Sequence, residues 1–155
     1  MDESSLTLRE SEELADQVAA QIRQQGGSLE PAYQAFETGI AQLQQSGLPL
    51  ESIVPAGEQG LGFAACHPKD GKSFWAIYGK IVRKTLCAKD SKLYVLAHSG
   101  AQISAASLVG MIMAALALPI AAIGIAAPIA GIIASLGIDA FCEYTEPGNV
   151  APKNP

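Results

Sequence analysis

From Lys92 to Asp139 the chain carries no residue that is ionised at neutral pH, a gap of 46 positions. Its most apolar part, Ile103 to Ile138, is 36 residues long, with Ser104, Ser107 and Ser135 as the only polar side chains. A membrane-crossing helix needs about 20 residues to traverse roughly 30 Å of hydrocarbon. One unbroken helix of this length would reach about 54 Å, so the segment must break. Pro119 is the natural place, because it has no N–H and its ring crowds the preceding turn. The arms, Ile103 to Leu118 and Ile120 to Ile138, would measure about 24 Å and about 28 Å. Those lengths predict an apolar helical hairpin broken at Pro119 that enters or crosses a bilayer. A single crossing centred on Leu108 to Ala126 is the other geometry.

Within this hairpin, Leu108, Ile112, Leu116, Pro119, Ile123, Ile129, Ile132, Ile133 and Leu136 are the expected membrane-inserting residues. Ala122, Ala126, Ala130 and Ala134 recur every four residues, and Ala127, Gly131 and Ser135 form a second ladder beside them. Small side chains at that spacing let helix backbones approach closely, which predicts helix association and a homo-oligomer. Pro128 is expected to kink the second arm. The competing possibility is a hairpin buried at the centre of a helical bundle, since a helix apolar all round belongs either to a core or to a membrane.

Charge divides the rest of the chain. Residues 1–60 hold ten acids and two bases, residues 61–100 seven bases and two acids, and residues 101–155 three acids and one base, so the overall net charge of -5 describes no part of the molecule. Four regions follow: an acidic amphipathic helical hairpin at 1–50, a short basic mixed region at 51–100, the apolar membrane-type hairpin at 101–142, and a polar tail at 143–155. In the first, Thr7 and Glu10 have capping-box spacing. Leu14, Val18 and Ile22 then form one helical stripe, which Gly26-Gly27 ends. Ser28 opens a second helix in which Tyr33, Phe36, Ile40 and Leu43 keep the period until Gly47 and Pro49. Two such helices cannot bury both stripes against each other. They require a third surface: the mixed region, the apolar segment or another protein.

The middle region is ambiguous. Leu61 to Cys66 reads as a strand and Pro68 to Lys72 as a turn. Between Ser73 and Cys87, Trp75, Tyr78, Val82 and Leu86 fit a helical stripe, while β-branched Ile77, Ile81, Val82 and Thr85 weaken that reading. Lys92 to His98 suits another short helix. The expected fold class is therefore all-α, with a small β element at 61–82 left open. Lys80, Arg83, Lys84, Lys89 and Lys92 lie just ahead of the apolar segment, where cationic side chains meet anionic headgroups. The acidic first third repels phosphate, so nucleic acid is not an expected partner.

Catalytic chemistry is sparse. Cys66, His67, Cys87, His98 and Cys142 match no zinc-ligand spacing, and three cysteines, too few and odd in number for a disulfide framework, argue for a reducing compartment or for inert thiols. A Cys–His pair is available on residue identity alone. Gly57 to Gly62 lacks the pattern of a phosphate loop and reads as a turn. Asp139 and Glu143 share a helix face, where acids mark emergence into water. No enzyme, metal or cofactor is expected. Met1 to Ser5 lacks an apolar leader core, so no secretory signal is expected.

In layout, an apolar hairpin attached to amphipathic helices resembles the pore-forming domains of bacterial toxins such as the colicins. The resemblance covers the last third of the chain and implies membrane permeabilisation. The expected function is thus a small membrane-inserting, self-associating protein, pore-forming or permeabilising, with a lipid bilayer as partner and its N-terminal region cytoplasmic. Alternatives are a non-lytic anchor or adaptor that recruits a protein through its N-terminal helices, and a soluble helical protein with a buried hairpin. A form soluble before insertion satisfies both locations.

Overall fold

A computed structural model describes residues 7–48, 50–53, 71–88, 95, 104–137 and 141. The described residues form five α-helices and no strand, an all-α fold. The first, α1 (Leu8–Gln24), starts with the expected capping box: the Glu10 N–H donates to the Thr7 hydroxyl and the Thr7 N–H to the Glu10 carboxylate, both at 3.0 Å. It ends at Gly26, where φ is +71° and the Gly27 N–H donates to the Ile22 carbonyl at 2.8 Å. This Schellman closure satisfies carbonyls that the helix end would otherwise orphan. The second helix, α2 (Glu30–Gln45), starts just after Ser28, whose hydroxyl accepts from the Glu30 N–H at 3.3 Å. It closes the same way at Gly47, with the Leu48 N–H on the Leu43 carbonyl.

The apolar segment folds as α4 (Ala105–Ala115), a 3-10 turn (Ile120–Ala122) and α5 (Ile123–Leu136). The break falls at Pro119 as expected. The helix ahead of it has already ended in another Schellman closure, with the Leu118 N–H on the Met113 carbonyl and Ala117 at φ +53°. The two helices have 11 and 14 residues. They span about 16 Å and about 21 Å, well short of the roughly 30 Å of a hydrocarbon core. No helix among the described residues is long and apolar enough to cross a membrane, which corrects the membrane-inserting, pore-forming expectation and the single-crossing geometry with it. Pro119 splits the segment, and capping at Ser104, Ala117 and Gly137 trims each arm further.

The third surface that the N-terminal hairpin requires is α5. It packs against α1, α2 and α4, and every residue from Ile123 to Ile133 is buried. Close approach is possible because the helix is thin. A methyl on Gly131 would lie 2.6 Å from a Val18 methyl carbon of α1, and one on Gly39 of α2 would lie 2.5 Å from the Gly124 carbonyl oxygen of α5. Arg23 of α1 donates to the Ala134 carbonyl at 3.1 Å, placing a cation where α5's dipole is negative.

The remaining helix, α3 (Gly71–Leu86), leans on α2. Helix thus replaces the small β element left open over 71–82, while 61–70 lie outside the described residues. Its Trp75, Tyr78, Val82 and Leu86 are buried along one stripe, joined by Phe74 and Ile81. Phe36 of α2 sits between two rings of α3, with centroids 5.2 Å from both Phe74 and Trp75, and Phe141 lies 6.2 Å from Trp75. Such aromatic packing fixes which way the helix faces.

Candidate functional site

Of the residues expected to enter lipid, Leu108, Ile112, Leu116, Ile123, Ile129, Ile132 and Ile133 are buried inside the bundle, and Pro119 and Leu136 are half-buried. In the small-residue ladders, Ala122, Ala126, Ala127, Ala130 and Gly131 are buried within the same chain, with Gly131 against Val18. Ala134 and Ser135 are half-buried, and the Ser135 hydroxyl donates to the Ile132 carbonyl of its own helix at 2.9 Å. The apolar stripes of α1 and α2 are occupied by α5, and Glu10, Glu13, Asp16 and Gln17 of α1 face outward.

The basic residues are placed differently. In α3 the exposed positions Lys72, Ala76, Lys80 and Lys84 follow one another at four-residue steps, and half-buried Arg83 lies one turn from Lys80. Residues at that spacing share one helix face. Four cations therefore share the outer side of a helix with no acidic residue, over a rise of about 18 Å from Lys72 to Lys84. Every aromatic of α3 is turned inward, and none of the large exposed apolar residues lies on this helix. Lys89 and Lys92, expected to belong to the same patch, lie outside the described residues. Lys72 is a member that its position before the helical stripe hides, although the spacing of Lys72, Lys80 and Lys84 is the signal that finds it.

Two contacts hold this face outward. The Gly71 N–H, at the start of α3, donates to the Glu37 carboxylate of α2 at 3.1 Å. A carboxylate there favours the positive end of the helix dipole, and α3 has no acid of its own in its first turn. Gly71 itself presses on the Tyr33 backbone carbonyl, so no larger residue fits. On the opposite side the Tyr78 hydroxyl donates to the Ile53 carbonyl at 2.8 Å in the core. Burial there pushes the Tyr78 phenol far above its ordinary range.

Cys87, directly after α3, is disulfide-bonded. The chain's other cysteines are Cys66 and Cys142, both outside the described residues, as are His67 and His98. This overturns the expectation of inert thiols, and a sulfur already bonded to sulfur offers no thiolate nucleophile. Among the described residues no cluster of His, Cys, Asp and Glu is arranged to hold a metal ion.

Comparison with known protein families, curated proteins and solved structures finds no match to this chain.

Proposed function

We propose that this chain is a binding module rather than an enzyme, a helical bundle with a buried apolar hairpin whose α3 face docks an acidic protein segment. The observation that carries this reading is that α3 itself holds no acidic residue, with Lys72, Lys80 and Arg83 on one face and the aromatics turned away. A nucleic-acid surface gains from exposed rings for base stacking, and an interfacial membrane helix needs apolar groups to sink into the acyl boundary. The outer side of α3 presents neither. A carboxylate-rich segment needs only cations at suitable spacing, and such an interface is steered by charge and weakened by salt. The disulfide at Cys87 favours an oxidising setting over the cytoplasmic one suggested by the sequence.

The test is fluorescence anisotropy with labelled poly-L-glutamate at about 0.1 M and about 1 M salt. Binding at the lower salt, lost at the higher and lost in the Lys72→Glu/Lys80→Glu double variant, supports the reading. Equal anisotropy for the wild type and the double variant at low salt overturns it.

A further inference from the structure

Arg83 is the one residue of α3 whose polar chemistry the fold leaves incomplete. Its Nε is shielded from solvent and has no hydrogen-bond partner, the only such buried side-chain nitrogen or oxygen among the described residues. A buried donor without a partner costs about 1–3 kcal/mol, more when it belongs to a charged group, so the arrangement calls for an explanation. The residue remains partly exposed, and the helix positions leading up to it are small: Gly79 one turn before, Ala76 two turns before. Lys80 stands beside it on the exposed side. A guanidinium whose inner edge is shielded is partly desolvated, which strengthens its attraction for an anion arriving at the outer edge. That edge, the two terminal nitrogens, presents paired N–H donors in a rigid plane whose spacing matches the two oxygens of a carboxylate.

We infer that Arg83 is the anchor of the α3 face, taking one carboxylate of the acidic partner end-on through both terminal nitrogens, with Lys80 holding a neighbouring carboxylate. This rests on the α3 reading above and adds to it a single geometric requirement. A diffuse basic surface is indifferent to which cation it carries. An anchored one distinguishes Arg83→Lys, which keeps the charge and loses the fork, from Arg9→Lys, the same exchange at an exposed position of α1 outside this face.

The experiment is the same anisotropy titration of the full chain with labelled poly-L-glutamate, alongside anionic phosphatidylglycerol vesicles. Arg83→Lys is expected to weaken poly-L-glutamate binding about tenfold, the loss of one charge-assisted hydrogen bond, while Arg9→Lys leaves it unchanged. Wild-type affinity in Arg83→Lys overturns the anchor. If the Lys72→Glu/Lys80→Glu variant has meanwhile lost binding, the basic face itself stands; if that variant also binds normally, both readings fall. Binding to vesicles but not to poly-L-glutamate overturns the anchor in favour of a lipid headgroup. Should Arg83→Lys fail to fold, the wild-type protein decides: its Arg83 Nε–H resonance must shift on titration with poly-L-glutamate, and a resonance that stays in place overturns the assignment.

Discussion

Gly39 and Gly124 meet backbone to backbone: a methyl group on Gly39 of α2 would stand 2.5 Å from the Gly124 carbonyl oxygen of α5. That carbonyl has no donor four residues on, because position 128 is proline. Gly39→Ala therefore pushes α2 off α5 along its length. We expect a loss of about 1–3 kcal/mol in urea unfolding, the range for overpacked cores. Gly26→Ala, with nothing within 4 Å, meets no clash but sits at φ +71° and so tests backbone strain alone. Equal stability of wild type and Gly39→Ala would contradict the close approach.

Tyr78 makes stability fall at high pH. Its phenol holds its proton more tightly in the folded chain than in the unfolded one, so its contribution is complete below about pH 10 and declines as pH rises beyond that. Tyr78→Phe flattens this alkaline decline. At neutral pH the same substitution costs about 1–3 kcal/mol, because the Ile53 carbonyl loses its buried donor. Chemical denaturation at a series of pH values separates the two effects, and parallel alkaline slopes would exclude Tyr78 as their source.

The disulfide at Cys87 ties the end of α3 to Cys66 or Cys142. Reduction, or Cys87→Ser, is expected to remove about 2–5 kcal/mol of stability. Peptide mapping without reductant identifies which cysteine is joined. Identical melting with and without dithiothreitol would show that the link bears no part of the fold.

Ala117 offers a gain. It adopts φ +53° at the exposed end of α4, a conformation that costs a residue with a Cβ about 1 kcal/mol and glycine nothing comparable. Ala117→Gly should raise the melting temperature, and a decrease would mean that the turn is held by something other than backbone preference.

Much of the fold could be read from short-range chemistry. Thr7 with Glu10, Gly26-Gly27, Gly47 and Pro119 each act within a few residues, and each starts or ends a helix near where its chemistry says. The all-α class and the inward stripe of Trp75, Tyr78, Val82 and Leu86 follow from period alone. The destination of the apolar segment does not. Hydropathy weighs residue identity, whereas enclosure depends on width. With Gly124 facing Gly39 and Gly131 facing Val18, α5 is thin enough for α1, α2 and α4 to surround it. The partner helix α4 shows the complementary effect: its uncovered positions include Gly110, Ala114 and Ala115, apolar by type but small in area.

The candidate site divides along the same line. The spacing of Lys72, Lys80 and Lys84 is visible in the chain once a helix is placed there. Which side of that helix faces outward depends on Phe36 packing between Phe74 and Trp75, a contact between residues far apart in sequence. The shielded Nε of Arg83 depends on tertiary cover as well, and no local pattern encodes it. The bond at Cys87 was hidden by arithmetic, since three cysteines allow one disulfide and still leave an odd count.

The position of α5 at the end of the described bundle also sets a clock. Arg23 hydrogen-bonds to Ala134 across 111 positions, and α5 fills the groove between α1 and α2. A chain emerging from the ribosome at about 5–20 residues per second leaves this groove open for on the order of ten seconds. Helical proteins dominated by local contacts fold early and piecemeal. Here the first hairpin waits for α5, so the vulnerable interval is during synthesis, when an exposed apolar trough invites chaperones or aggregation and a chain cut short at Pro119 would never close it.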